Sequence, residues 1–142
     1  MKNDDLVTTF SQCRTTTYFA LGPEARQEYA KACRIMMARG TLRIGDLPVV
    51  AAYAQAQIDV REAQKEIDRL GLVLVSEDRY GNPKHEANPA VKIRKDAANQ
   101  VSTLALMLGF TPLGRKRLKG EETPPKSDLD KFMEGLSGDS KA

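Results

Sequence analysis

Residues 88–118 constrain this chain more than any other stretch, because they carry start and stop signals for a single long helix. Asn88-Pro89 pairs a good N-cap with a residue pre-organised for the first helical position. About twenty residues later, Leu108-Gly109 supplies a stop, and Thr111-Pro112 restarts the chain at once. Ala97, Val101, Leu104 and Leu108 fall at 4-3-4 spacing between these signals, so one face is apolar. Ala90 and Arg94 lie on the same line, and Arg94 can snorkel at a bundle edge or face a polar partner. The restarted turn brings three consecutive bases, Arg115, Lys116 and Arg117.

The same punctuation divides the rest of the chain. A helix is expected from Pro23 to about Arg39, stopped by Gly40, with Ala25, Tyr29, Ala32 and Met36 on one face. Asp46 is expected to cap a second helix that tolerates Pro48 and ends at Leu70-Gly71. Val49, Tyr53, Ala56, Val60, Ala63, Ile67 and Leu70 form a 4-3 stripe along it, at heptad spacing. Leu72–Val75 is too short for another helix and reads as a strand. A turn over Ser76–Asn82 and a return over Lys84–Ala87 would complete a small hairpin. Before Gly22 the patterning is weak. Leu6, Val7 and Phe10 suit a short helix capped by Asp4 or Asp5, and the β-branched run Thr15–Thr17 disfavours its continuation.

The fold expected is mainly α: a long helical hairpin or bundle, with a small β-hairpin between helices 2 and 3 and a flexible C-terminal tail. Three units follow: an N-terminal segment 1–21, a helical core and oligomerisation domain 22–118, and a tail 119–142. In the tail, Glu121 to Lys126 reads as linker. Leu129, Phe132, Met133 and Leu136 then share one helical face within 128–136. So short a helix is unstable alone, which leaves two readings: a segment that folds on a partner, or a frayed terminus.

Charge and composition narrow the chemistry. Residues 1–118 hold 18 Lys/Arg against 13 Asp/Glu, and the tail holds 4 against 6. A basic body with a mildly acidic tail is compatible with nucleic acid, although many soluble domains carry as much charge. Cys13 and Cys33 lack any CxxC partner, and His85 is the one histidine. A zinc site needs about four ligands, so the thiols are expected to be buried and free in a reducing cytosol and no metal or cofactor is expected. No phosphate loop or nucleophile elbow is present, and Glu62, Glu66 and Arg69 have the spacing of ordinary surface pairs. No apolar run is long enough to span a membrane, and no signal peptide is apparent.

In order and spacing, these residues resemble the small terminase subunit of tailed double-stranded DNA bacteriophages. The pieces are Leu21-Gly22-Pro23-Glu24-Ala25, Arg39-Gly40-Thr41-Leu42 with Asp46, Tyr53-Ala54, Leu70-Gly71, Tyr80-Gly81-Asn82, Asn88-Pro89 and Leu108 to Arg115. They cover about residues 21–118. Phe110 stands where a leucine is expected, and Gly114 where serine is common. The resemblance implies a non-catalytic subunit that assembles into a ring in the cytoplasm of the bacterial host. It would bind viral DNA at the packaging start site and recruit the large terminase subunit, which holds the ATPase and nuclease. Under that reading Arg115, Lys116 and Arg117 are the first candidates for phosphate contact, then Lys92, Arg94 and Lys95. The alternative is that Arg115 caps a helix or bridges subunits and the others are simply solvated. Leu129, Phe132, Met133 and Leu136 become the candidate contact with the large subunit.

Two other functions compete. One is a helix-turn-helix regulator, against which the length of helix 2 argues, since a recognition helix is short. The other is a helical adaptor or scaffold without DNA binding.

Overall fold

A computed structural model describes residues 5–119 and 128–139. Among them the chain is predominantly helical. In order come α1 (Phe10–Cys13), α2 (Thr16–Ala20), α3 (Pro23–Ala38), α4 (Leu47–Leu70), β1 (Val73–Glu77), β2 (Pro83–Ala87), α5 (Pro89–Leu108), α6 (Pro112–Leu118) and α7 (Asp128–Asp139). The dominant contact is α4 against α5, followed by α3 against α4.

The α4–α5 hairpin is clasped at one end by Asn88. Its Oδ1 accepts from the Ala90 N–H at 3.0 Å, and its Nδ2 donates to the Gly71 carbonyl at 2.8 Å. Between these ends, β1 and β2 pair antiparallel from Val73↔Ala87 to Glu77↔Pro83. The Asp78 carboxylate closes the turn by accepting from the N–H groups of Tyr80 and Asn82.

Helix α4 has two buried faces because it lies between α3 and α5. Leu47, Val50, Ala51 and Ala54 join Tyr29, Ala32, Cys33 and Met36 of α3 in the main core. Toward the hairpin, Ala56, Ala63 and Ile67 of α4 and Ala90 and Ala97 of α5 are buried, and Ala63 and Ala90 line one cleft. Small residues there let the helices approach closely. The single stripe expected from spacing is therefore corrected: it includes Ala56, Ala63 and Ile67, but Leu70 is exposed and Val49, Tyr53 and Val60 are half-buried. The 4-3 rule describes a helix with one neighbour, and α4 has two. Across the α3–α4 contact, burial pushes the Glu28 carboxyl up. Its bonds to Arg61 (2.9 Å) and Lys31 (3.3 Å) outweigh this and hold it below the ordinary range.

The N-terminal expectation is also corrected. Leu6 is not helical; it bridges Arg43, and the Val7 N–H donates to the Leu42 carbonyl at 2.9 Å. Thr9, not an aspartate, precedes α1, and helix resumes at Thr16 despite the threonine run. Val7 and Cys13 are both core residues, so tertiary packing overrides local preference here. Asp46 lies in a 3-10 turn, Ile44–Asp46, and its carboxylate accepts the Arg43 N–H rather than capping α4.

Both cysteines are buried and free. Burial pushes the Cys33 thiol up to about 12, with the neighbouring Cys13 adding to the shift. The Tyr29 hydroxyl donates to the Cys13 carbonyl at 2.6 Å, which fixes α1 against α3.

Candidate nucleic-acid interface

The junction of α5 and α6 positions the basic triplet. Gly109 ends α5 at φ 76°, a left-handed conformation that favours glycine. Thr111 caps α6, its hydroxyl accepting from the Gly114 N–H at 3.0 Å. Gly114 is buried, and a Cβ there would collide with the Leu106 carbonyl oxygen. The departure from serine at this position thus coincides with a close backbone approach. Phe110 packs on Tyr53 of α4 with ring centroids 5.2 Å apart.

Arg115, Lys116 and Arg117 are all exposed on α6. Arg115 donates from Nη1 to the Phe110 carbonyl at 3.2 Å, so it also serves the capping role weighed against phosphate contact. Lys116 and Arg117 make no hydrogen bond or ion pair with another described side chain.

Lys92, Arg94 and Lys95 are exposed near the start of α5. From Lys95 to Leu108 is about 20 Å of helix at 1.5 Å per residue, so the two basic groups form separate patches along α5. Arg94 sits beside the Ala90–Ala97 line but reaches solvent, as a snorkelling side chain does.

Several other cations are committed to the fold. Arg26 donates to the carbonyls of Tyr18 and Phe19, Arg61 pairs with Glu28, Arg43 with Asp5 and Arg69 with Glu66. The net charge therefore overstates what is available to a phosphate backbone.

Sequence reasoning missed two residues beside Arg115. Arg39, at the end of α3, donates from Nη1 to the Gly109 carbonyl at 3.1 Å, across 70 positions of sequence. Together with Lys119 it flanks a groove of about 400 Å³ whose floor includes Leu108 and Leu118. The Arg39-Gly40 stop signal marked a helix end and held no hint of this contact.

Leu129, Phe132, Met133 and Leu136 of α7 are between 53% and 67% exposed, so that face is largely uncovered among the described residues. Among the described residues no helix is long and apolar enough to cross a membrane, and no cluster of three or more His, Cys, Asp or Glu is placed to hold a metal ion.

No curated protein and no solved structure matches the chain. The family model described as "Phage terminase, small subunit" matches residues 25–125, which include most of α3, all of α4 to α6 and both basic patches. The chain therefore belongs to the phage terminase small-subunit family, whose role lies in phage DNA packaging.

Proposed function

We propose that this chain assembles into a ring, binds viral DNA at the packaging initiation site, and recruits the large terminase subunit without catalysing a reaction itself. It would act in the cytoplasm of the bacterial host. The observation that carries this reading, beside family membership, is the set of exposed cations on α5 and α6 that the fold does not use. Lys92, Arg94, Lys95, Lys116 and Arg117 make no ion pair among the described residues. Repeated around a ring, five such cations per subunit become a strong field for a polyanion, and each phosphate contact adds to a salt-dependent affinity. The apolar face of α7 suits a groove on the large subunit, in the manner of an amphipathic helix in a partner cleft.

The test is the molar mass of the purified protein by light scattering, with and without DNA from the phage packaging site. An oligomer many times the 15.7 kDa chain mass that shifts with DNA supports the reading. A monomer or simple dimer at high concentration would count against the ring and favour a helix-turn-helix regulator or an adaptor.

A further inference from the structure

We infer that α7 folds back onto its own chain and seats its apolar face in the groove at the α5–α6 junction, covering Arg115. Three observations converge on this pairing.

The first is shape and polarity. The groove between Arg39 and Lys119 is mostly apolar, with Leu108 and Leu118 in its lining, and a second cleft of about 330 Å³ adjoins it on the other side of Leu118. Either cleft is large enough to take apolar side chains. Helix α7 offers Leu129, Phe132, Met133 and Leu136 along one stripe about 10 Å long, at 1.5 Å per residue. A helix of this length is marginal unless something covers that stripe.

The second is charge. Arg39, Arg115 and Lys119 line the first cleft, whereas Arg43 in the second is already paired with Asp5 and shares the lining with Asp46. The guanidinium groups of Arg39 and Arg115 are fixed by the carbonyls of Gly109 and Phe110, which leave their positive charge uncompensated by those bonds. The α7 sequence holds Asp128, Asp130, Glu134 and Asp139 against a single Lys131. A segment with that net negative charge complements a basic rim.

The third is tether length, which selects this chain's own α7 over that of a second copy. Lys119 lines the groove, and α7 begins at Asp128. The eight residues between them reach at most about 28 Å when extended. A tether this short holds α7 near the groove at millimolar effective concentration.

The consequence rests on the proposed DNA contact. A seated α7 occupies Arg115 and buries the face offered to the large subunit. Binding DNA at α6 and presenting α7 would then be coupled events.

Disulfide trapping in the full-length chain tests the docking without DNA. Thr41→Cys lies in the groove and Met133→Cys on α7, while Cys13 and Cys33 remain buried. Under mild oxidation an intrachain disulfide is expected, at least tenfold faster than in a control pairing Met133→Cys with Ser76→Cys on the distant hairpin. Adding Phe132→Asp should abolish that advantage. Equal rates at the two positions, or interchain products alone, would overturn the proposal. A separate measurement compares DNA affinity of the wild type with a full-length Leu129→Asp/Phe132→Asp variant. If trapping succeeds and DNA affinity is unchanged, docking stands and the assignment of Arg115 to DNA fails.

Discussion

The Asn88 side-chain amide joins the two long helices by donating to the Gly71 carbonyl at 2.8 Å while its oxygen caps α5. Asn88 is only 3% exposed, the one buried polar side chain among the described residues. Asn88→Ala removes both bonds and leaves the Gly71 carbonyl, whose residue is exposed, to solvent. A loss of about 1–2 kcal/mol is expected, mainly from the cap. Asn88→Asp keeps the cap but not the donor, so it should fall between alanine and wild type. Urea denaturation of the three proteins checks the order.

Glycines at the α5–α6 junction should respond unequally to alanine. At Gly109 the φ of 76° is strained for any L side chain, and a Cβ would stand 2.6 Å from Leu118 Cδ1, which can swing away. About 1–2 kcal/mol is expected. At Gly114 the obstruction is the Leu106 carbonyl oxygen, which is backbone and cannot move independently. Gly114→Ala should cost at least as much and displace the basic triplet. Gly135→Ala meets nothing within 4 Å and should strengthen α7 by about 0.5–1 kcal/mol of helix propensity. Thermal unfolding and helix content by circular dichroism separate the three.

The buried thiols predict a basic limb to stability. Burial raises the folded Cys33 value to about 12, against about 9 for a thiol in the unfolded chain, and it raises Cys13 as well. A raised folded value means that the neutral thiol is favoured by folding. That contribution is complete below about pH 9 and is lost as pH climbs toward 12. Urea midpoints should therefore be flat across this group's range up to pH 8 and fall above 9. Cys33→Val should show a shallower fall. Thiol-reactive dyes should label the native protein slowly at pH 8 and rapidly once it unfolds.

The hairpin should report on assembly. Val73 and Val75 of β1 are 51% and 65% exposed and lie on one face of a two-stranded ribbon, with Leu72 beside them at 64%. A ribbon of this kind is marginal alone. If subunits meet there in a ring, Val73→Glu with Val75→Lys should lower the oligomer mass in light scattering and leave helix content intact. An unchanged oligomer would move the interface elsewhere.

The two basic patches should contribute separately to DNA affinity. Replacing Lys116 and Arg117 with alanine should weaken binding uniformly across DNA sequences. The slope of log affinity against log salt should drop by about 0.9 per lost phosphate contact. Lys92→Ala with Lys95→Ala tests the α5 patch in the same assay. No change of slope in either pair would transfer the DNA contact to other cations.

Local signals made the major helices legible. Pro23, Asn88-Pro89 and Thr111-Pro112 begin α3, α5 and α6, while Gly40, Gly71 and Gly109 close the helices before them. These signals act through the dihedral preferences of one or two residues and the loss of a single N–H, so they are readable without knowing any neighbour. The tail helix, expected over 128–136, spans Asp128–Asp139.

What tertiary structure alone decided was which residues meet across the chain. Local patterning marked Tyr29 and Met36 as core, but the second buried face of α4 at Val50, Ala51 and Ala54 exists because α3 packs there. Val7 and Cys13 enter the core through contacts that no local pattern announces. The Arg39–Gly109 bond and the groove beside Arg115 likewise join residues far apart in sequence. Sequence determines where a helix can start and stop, because capping and dihedral energies are local. Packing determines which of its faces is buried and which cations stay available, because those energies depend on partners that only the folded chain supplies.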